Sequence, residues 1–299
     1  MPIITEDLVP TNIMSDLFDQ ANTQSIVLEL GNRQAMPTGH GVVPIIQTLP
    51  STGWVNGIGG RKPITNVEWS SDHLVPEEVA AVVGVPQAYI DDSGIPLWPA
   101  IRNRLSEAIA YSIDAAVLFG VDAPPTFPVG GLVAGAGAAF SDPDYSVAVN
   151  EAMSSVEAKG VNVTGHGADV SVRGKLRALR DNNGVPIFIP NIREQGGNML
   201  YGLPVVFSAN GAFDTSVADL ITGDWTKLVV GVRRDMTFDT SDSGVLTDDT
   251  GKVVANAFQD DLVLLRVHMR LGVVIGQPVT RITGTATYPF ALVKAATTP

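Results

Sequence analysis

The stretch Gly53 to Trp69, GWVNGIGGRKPITNVEW, has no carboxylate before Glu68 and sets Arg61 and Lys62 side by side among glycines. It stands in a chain of 31 acidic and 19 basic residues, with a formal net charge of -12. Before it, Val42 to Leu49 (VVPIIQTL) has the composition of a strand, and Pro44 near its start suits a sheet edge. Within it, Thr65, Val67 and Trp69 alternate with Asn66 and Glu68, the period of a returning strand. The two runs predict a long hairpin around a basic tip. An isolated hairpin buries too little surface to be stable alone, so this one needs another surface to lie on.

Four further elements follow from the pattern. Residues 1 to about 40 mix short apolar and polar runs and predict an arm with little core. The segment VPEEVAAVVGVP places Val75, Glu77, Val79, Ala81, Val83 and Val85 on one strand face. From Trp98 to Phe119, Ile101, Leu105, Ile109 and Ile113 recur every four residues, Pro99 suits a first turn and Gly120 ends the run. About 22 helical residues give a rod of roughly 33 Å, a spine for other elements. Ser141-Asp142-Pro143 opens a second helix carrying Val149, Ala152, Met153 and Val156. A shorter helix with Val172, Leu176 and Leu179 follows, then the strands VPIFI, GLPVVFS and ADLITGDW, which make a compact α/β region. After Lys227 the chain reads as almost all β: KLVVGVRRDMTFDTS as one or two strands, DTSDSGVLTDDTGK as a polar turn, and Asp261 to Ile275 as a strand. In that last strand every odd position from Val263 is apolar, and Arg266, His268 and Arg270 lie between. One face must be packed and the other wet or charge-paired.

Composition narrows the function classes. Cysteine is absent, so disulfides, thiolate catalysis and cysteine metal sites are excluded. The opening MPIITEDLVP lacks the basic region of a secretory signal. Ala123 to Ser141 is uncharged and long enough to span a bilayer. Its prolines and glycines make it a poor helix, and it reads as a loop, so no membrane segment is expected. The acidic balance argues against a surface that grips nucleic acid, yet is compatible with enclosing it. None of His40, His73, His166 and His268 has a histidine partner at metal spacing, and the GHG contexts of His40 and His166 read as loops. GGLVAGAG lacks a phosphate-loop lysine, and DTSDSG and DDTG miss the calcium-loop carboxylate pattern. Asp114 is a lone carboxylate on an apolar helix, read as a partner for a basic residue. No cofactor, metal or catalytic residue is expected, and the chain is read as not an enzyme.

The order of these segments is similar to the major capsid protein of tailed bacteriophages, a fold also seen in encapsulin shells. The likeness is carried by the hairpin leading into WSSDHLVPEEVAAVVGVPQAYIDDSG, the spine ending IDAAVLFG, LRALRDNNGVPIF, LYGLPVVFSANG with ITGDW, and FQDDLVLLRVHMRLGVVIG. The resemblance implies an α+β capsid fold. Residues 1–42 would form an N-terminal arm, 43–72 an extended-loop hairpin, 73–140 a peripheral domain with the spine helix, 141–226 an axial domain, and 227–299 peripheral strands and a C-terminal tail. It implies pentamers and hexamers of the chain in an icosahedral shell around double-stranded DNA, assembled in the host bacterial cytoplasm. A separate scaffolding protein, a portal and a decoration protein would be partners. By resemblance, Arg61, Lys62, Trp54 and Trp69 belong to the loop that touches an adjacent subunit. Its acidic partners are sought among Asp91, Asp92, Glu107 and Asp114. Some family members cross-link a loop lysine to an asparagine with help from a glutamate. Here the mouth of the long strand reads Gln259-Asp260-Asp261 and the strand has no glutamate, so a shell without covalent links is expected. An encapsulin-like cargo shell and a soluble acidic α+β enzyme are the alternative readings.

Overall fold

The computed structural model describes residues 25–55, 60–92, 97–179, 199–248 and 250–296. In chain order the helices are α1 (Ile26–Leu30), α2 (Gln87–Asp92), α3 (Leu97–Phe119), α4 (Gly131–Ala136), α5 (Tyr145–Glu157) and α6 (Val172–Ala178). The strands are β1 (Asn32–Ala35), β2 (Gly41–Ile46), β3 (Trp69–Leu74), β4 (Glu77–Pro86), β5 (Gly165–Asp169), β6 (Met199–Leu200), β7 (Leu203–Ser208), β8 (Leu220–Gly223), β9 (Leu228–Ser241), β10 (Val245–Thr247), β11 (Val253–Asn256), β12 (Leu262–Ile275) and β13 (Phe290–Val293).

The alternation that predicts a long strand is realised in β12, whose 14 residues extend about 46 Å. It lies at the centre of a sheet ordered β1-β9-β12-β4. Leu265, Val267, Met269, Leu271 and Val273 are buried in one core with Leu105, Ile109 and Ile113 of the spine α3. The other face is charge-paired: Arg266 lies 2.9 Å from Asp239 and Arg270 3.9 Å from Glu78. His268, though on that face, is buried and lies 3.6 Å from Asp239. Strand β9 slips register twice against β12, near His268 and Arg270. One slip would turn every later side chain to the wrong face. Two restore the phase, so Val232 and Phe238, on either side of the irregularity, both pack against the same core.

A second sheet, ordered β13-β8-β5-β7-β6, carries α5 and α6. Asp144 caps α5, its side chain accepting from the Ser146 N–H at 2.9 Å. Ala148, Ala152 and Val156 bury the stripe that the sequence predicts.

Several expectations are corrected. Residues 26–35 are not part of a coreless arm, because Ile26 and Val27 are fully buried and β1 pairs in parallel with β9. Residues 290–293 are no tail: β13 is an edge of the second sheet, paired with β8. Ala123–Ser141 contains α4, seated on the end of the spine with Leu132 fully buried. The seat requires glycines. Gly120 and Gly131 both have positive φ, and a Cβ on Gly131 would lie 2.5 Å from the Gly120 nitrogen. The polar turn after β9 holds the β10–β11 hairpin. His166 is in strand β5 rather than a loop. Its glycine neighbour is set by packing, since a Cβ on Gly167 would meet Ile26 at 2.7 Å. The strand read at VPIFI lies outside the described residues.

Asp114 is the largest correction. It is fully buried, and among the described residues its partners belong to its own chain and include no cation. The Ser25 hydroxyl donates to it at 2.6 Å, the Ile26 and Val27 N–H groups at 3.2 and 3.1 Å, and the Asn210 amide at 2.8 Å. Burial pushes its carboxyl above the usual carboxylate range, while the four donors pull the other way. Replacing Asp114 with alanine strands those donors in the interior, and each unmatched buried group costs roughly 1–3 kcal/mol. Asp114→Ala is therefore expected to lower unfolding stability by about 3 kcal/mol or more in guanidinium titrations. A loss below about 1 kcal/mol would show that the donors find other partners.

His166 gives a pH signature. Both ring nitrogens are buried without a hydrogen-bond partner. Burial drives its pKa from 6.5 down to about 4. The unfolded chain takes up this proton near pH 6.5 and the folded chain only near 4, so the unfolded state binds more protons in between. The contribution is full above about pH 6.5 and falls, by on the order of 3 kcal/mol, as pH drops towards 4. The denaturation midpoint of His166→Val is expected to depend less on pH across this window than that of the parent chain. Equal dependence would contradict the assignment.

Candidate subunit interface

Strands β2 and β3 pair antiparallel from Gly41↔Leu74 to Ile46↔Trp69. The ladder is shorter than the alternation at Thr65 and Val67 predicts, because both lie before β3 begins. Beyond it the loop is held at its stem. The Gln47 N–H donates to the Glu68 carbonyl at 2.8 Å, and the Ser51 N–H to the Thr65 hydroxyl at 2.9 Å. Arg281 reaches across to donate to the Pro50 carbonyl at 2.7 Å. This clamp joins residues 231 positions apart, so no local pattern could have indicated it.

Past the clamp the loop is laid open. Trp54 is 103% exposed and Ile64 85%. Val55 and Val67 are exposed as well, and Trp69 stands out at the stem. Arg61 and Lys62 are exposed beside them. A tip with bare aromatic and aliphatic side chains next to two cations has the residue types of an interaction surface, where an apolar centre is rimmed by charge. The sequence singles out Trp54, Trp69, Arg61 and Lys62; Ile64 it passes over.

The four acidic residues considered as partners are not gathered in one place. Asp114 is inaccessible. Glu107 is bound by Arg104 at 2.7 Å on the spine, and Asp91 accepts from Gln87 at 2.9 Å on α2 beside the exposed Asp92. Among the described residues no cluster of three or more histidine or acidic residues could hold a metal ion, and no helix is long and apolar enough to cross a membrane.

The comparisons with known proteins agree with this architecture. The model of the phage capsid family matches residues 5–279. A solved structure from Mycobacterium phage Bobi is 28% identical, with 97% of this chain and 96% of that chain covered at a TM-score of 0.81. One from Mycobacterium phage Adephagia is also 28% identical, covering 99% of each chain at 0.80. The capsid of an empty GTA particle is similar in fold alone, at 16% identity, 96% and 95% coverage and a TM-score of 0.63. A comparison with curated proteins returned no match. The protein is structural rather than enzymatic and assembles with itself in the virion capsid. The chain belongs to the phage capsid family, as the major capsid protein of a tailed phage.

Proposed function

We propose that the chain forms pentamers and hexamers of a closed icosahedral head around double-stranded DNA, and that its extended loop, residues 43–72, joins each copy to the next. The observation that carries this reading is the bare tip, with Trp54 103% and Ile64 85% exposed on a loop that the described bonds hold only at the stem. Burying one large apolar side chain stabilises by roughly 1.5–3 kcal/mol. An exposed ion pair contributes only ~0.2–1 kcal/mol. The apolar residues therefore supply most of the contact energy, and Arg61 and Lys62 give it orientation and salt dependence. In a shell this contact recurs in every subunit.

The remaining parts follow. Residues 73–140 and most of 227–299 form the peripheral domain. Residues 141–226 form the axial domain, to which β13 adds a strand. The net charge of -12 suits a wall that encloses DNA without gripping it. A separate scaffolding protein, a portal and a decoration protein complete the particle, which is assembled in the host bacterial cytoplasm. The subunits are held without covalent links.

Reversing both charges, Arg61→Glu with Lys62→Glu, is expected to reduce shell yield at low salt while leaving the circular dichroism of the unassembled chain unchanged. Normal yield at both low and high salt would reduce the tip to a solvated turn. Particles boiled in detergent are expected to run as one band at 31.5 kDa, and a ladder of multiples would contradict the non-covalent reading.

A further inference from the structure

The chain between β12 and β13 makes a threonine-rich turn that is stitched throughout. Val279 and Ala286 form an isolated antiparallel bridge. The Thr287 N–H donates to the Pro278 carbonyl and the Gly284 N–H to the Thr280 carbonyl, both at 2.9 Å. The Thr283 hydroxyl lies 2.9 Å from the hydroxyls of Thr280 and Thr287, and Gly284 turns the chain at φ 67. Arg281 to Ala286 are exposed, so this turn keeps its shape by hydrogen bonds and not by a core. It is anchored on two segments remote in sequence. The Thr280 hydroxyl donates to the Lys159 carbonyl at 2.6 Å, just past the end of α5. Gly160 has φ 81, and a Cβ there would meet Ile282 at 3.1 Å and Thr280 at 3.2 Å, so the turn is seated against the end of that helix. From the next residue, the Arg281 guanidinium donates to the Pro50 carbonyl at 2.7 Å.

We infer that residues 278–287 are a strut that sets the pitch of the extended loop against the end of α5, with Arg281 as the positioning residue at its outer end. The inference rests on the reading that the loop joins copies, and it names what in the same chain aims the loop for that contact. Packing fixes the β2–β3 hairpin only at its base, where Leu74 and Val43 meet Met36, Val229 and Val274. A hollow of about 460 Å³ lies beside Asp72 and His73, so β3 has no packed support there. Among the described residues between Gln47 and Glu68, the Pro50 carbonyl is where the loop is hydrogen-bonded to the body of the chain. A ribbon held only at its base swings its tip through a wide arc, and a second hold farther out narrows that arc. Thr280 and Arg281 are adjacent, so one peptide unit links the hold on α5 to the hold on the loop.

The test compares Arg281→Ala, Arg281→Lys and Thr280→Val with the parent chain, by hydrogen exchange before assembly and by shell yield after it. Arg281→Ala removes the bond to the loop. Thr280→Val removes the anchor on Lys159 without touching the loop. Both are expected to speed exchange at the Gln47 and Ser51 N–H groups, which close the loop stem, by roughly two- to tenfold, the factor equivalent to one net hydrogen bond. Both are expected to lower shell yield, with the denaturation midpoint and the exchange of β12 unchanged. A single carbonyl acceptor does not require the guanidinium fork, so Arg281→Lys is expected to restore slow exchange and yield. An exchange effect of Arg281→Ala that Thr280→Val does not share would overturn the strut and leave an isolated clamp. Unchanged exchange in both variants, or full shell yield despite faster exchange, would also overturn it. So would a loss of yield that follows a lowered midpoint and is not rescued by lysine. The charge-reversed tip keeps the two readings apart: if it still impairs assembly, the intersubunit role of the tip stands without the strut.

Discussion

Asp114 holds the structure together at its least replaceable point. A carboxylate taken out of water is costly unless its charge is matched by well-placed donors. Here the donors come from two separate parts of the chain and the acceptor from a third. Ser25, Ile26 and Val27 form the first turn of α1, whose free N–H groups favour a negative charge. Asn210 follows the last strand segment before β8. Asp114 itself sits on the spine. One buried group thus fixes the α1 segment to α3 and α3 to the second sheet, and Ile26 and Val27 then fill the core beneath them.

With that junction set, the molecule divides into a closely packed part and a part that buries little. The two sheets, the spine and α5 bury continuous apolar surfaces. The loop beyond Pro50 buries little and keeps its large side chains in solvent. Arg281, bonded to Pro50, ties the base of that loop to the segment after β12.

The body was largely legible in the sequence because its long elements are periodic. The odd positions of β12 and the four-residue spacing on α3 fix type, direction and buried face without tertiary knowledge. What was not legible depends on pairings between distant residues. β1 and β13 are four-residue strands whose place is set by β9 and β8. The glycines around His166 read as loop markers but serve close packing, Gly167 against Ile26 and Trp225 and Gly165 against Pro204 and Leu30. Asp114 appeared as a lone carboxylate because two of its donors are backbone groups, which carry no residue signature. At the interface, the basic tip was visible as a charge anomaly.

The central claim is that the tip of each extended loop is buried against a neighbouring copy. Cryo-electron microscopy of particles assembled from this chain tests it directly. The account predicts continuous density from one subunit's β2 and β3 onto the adjacent subunit, with Trp54 covered by it. Loops that stand clear of every neighbour, or fold back over their own subunit, would contradict it.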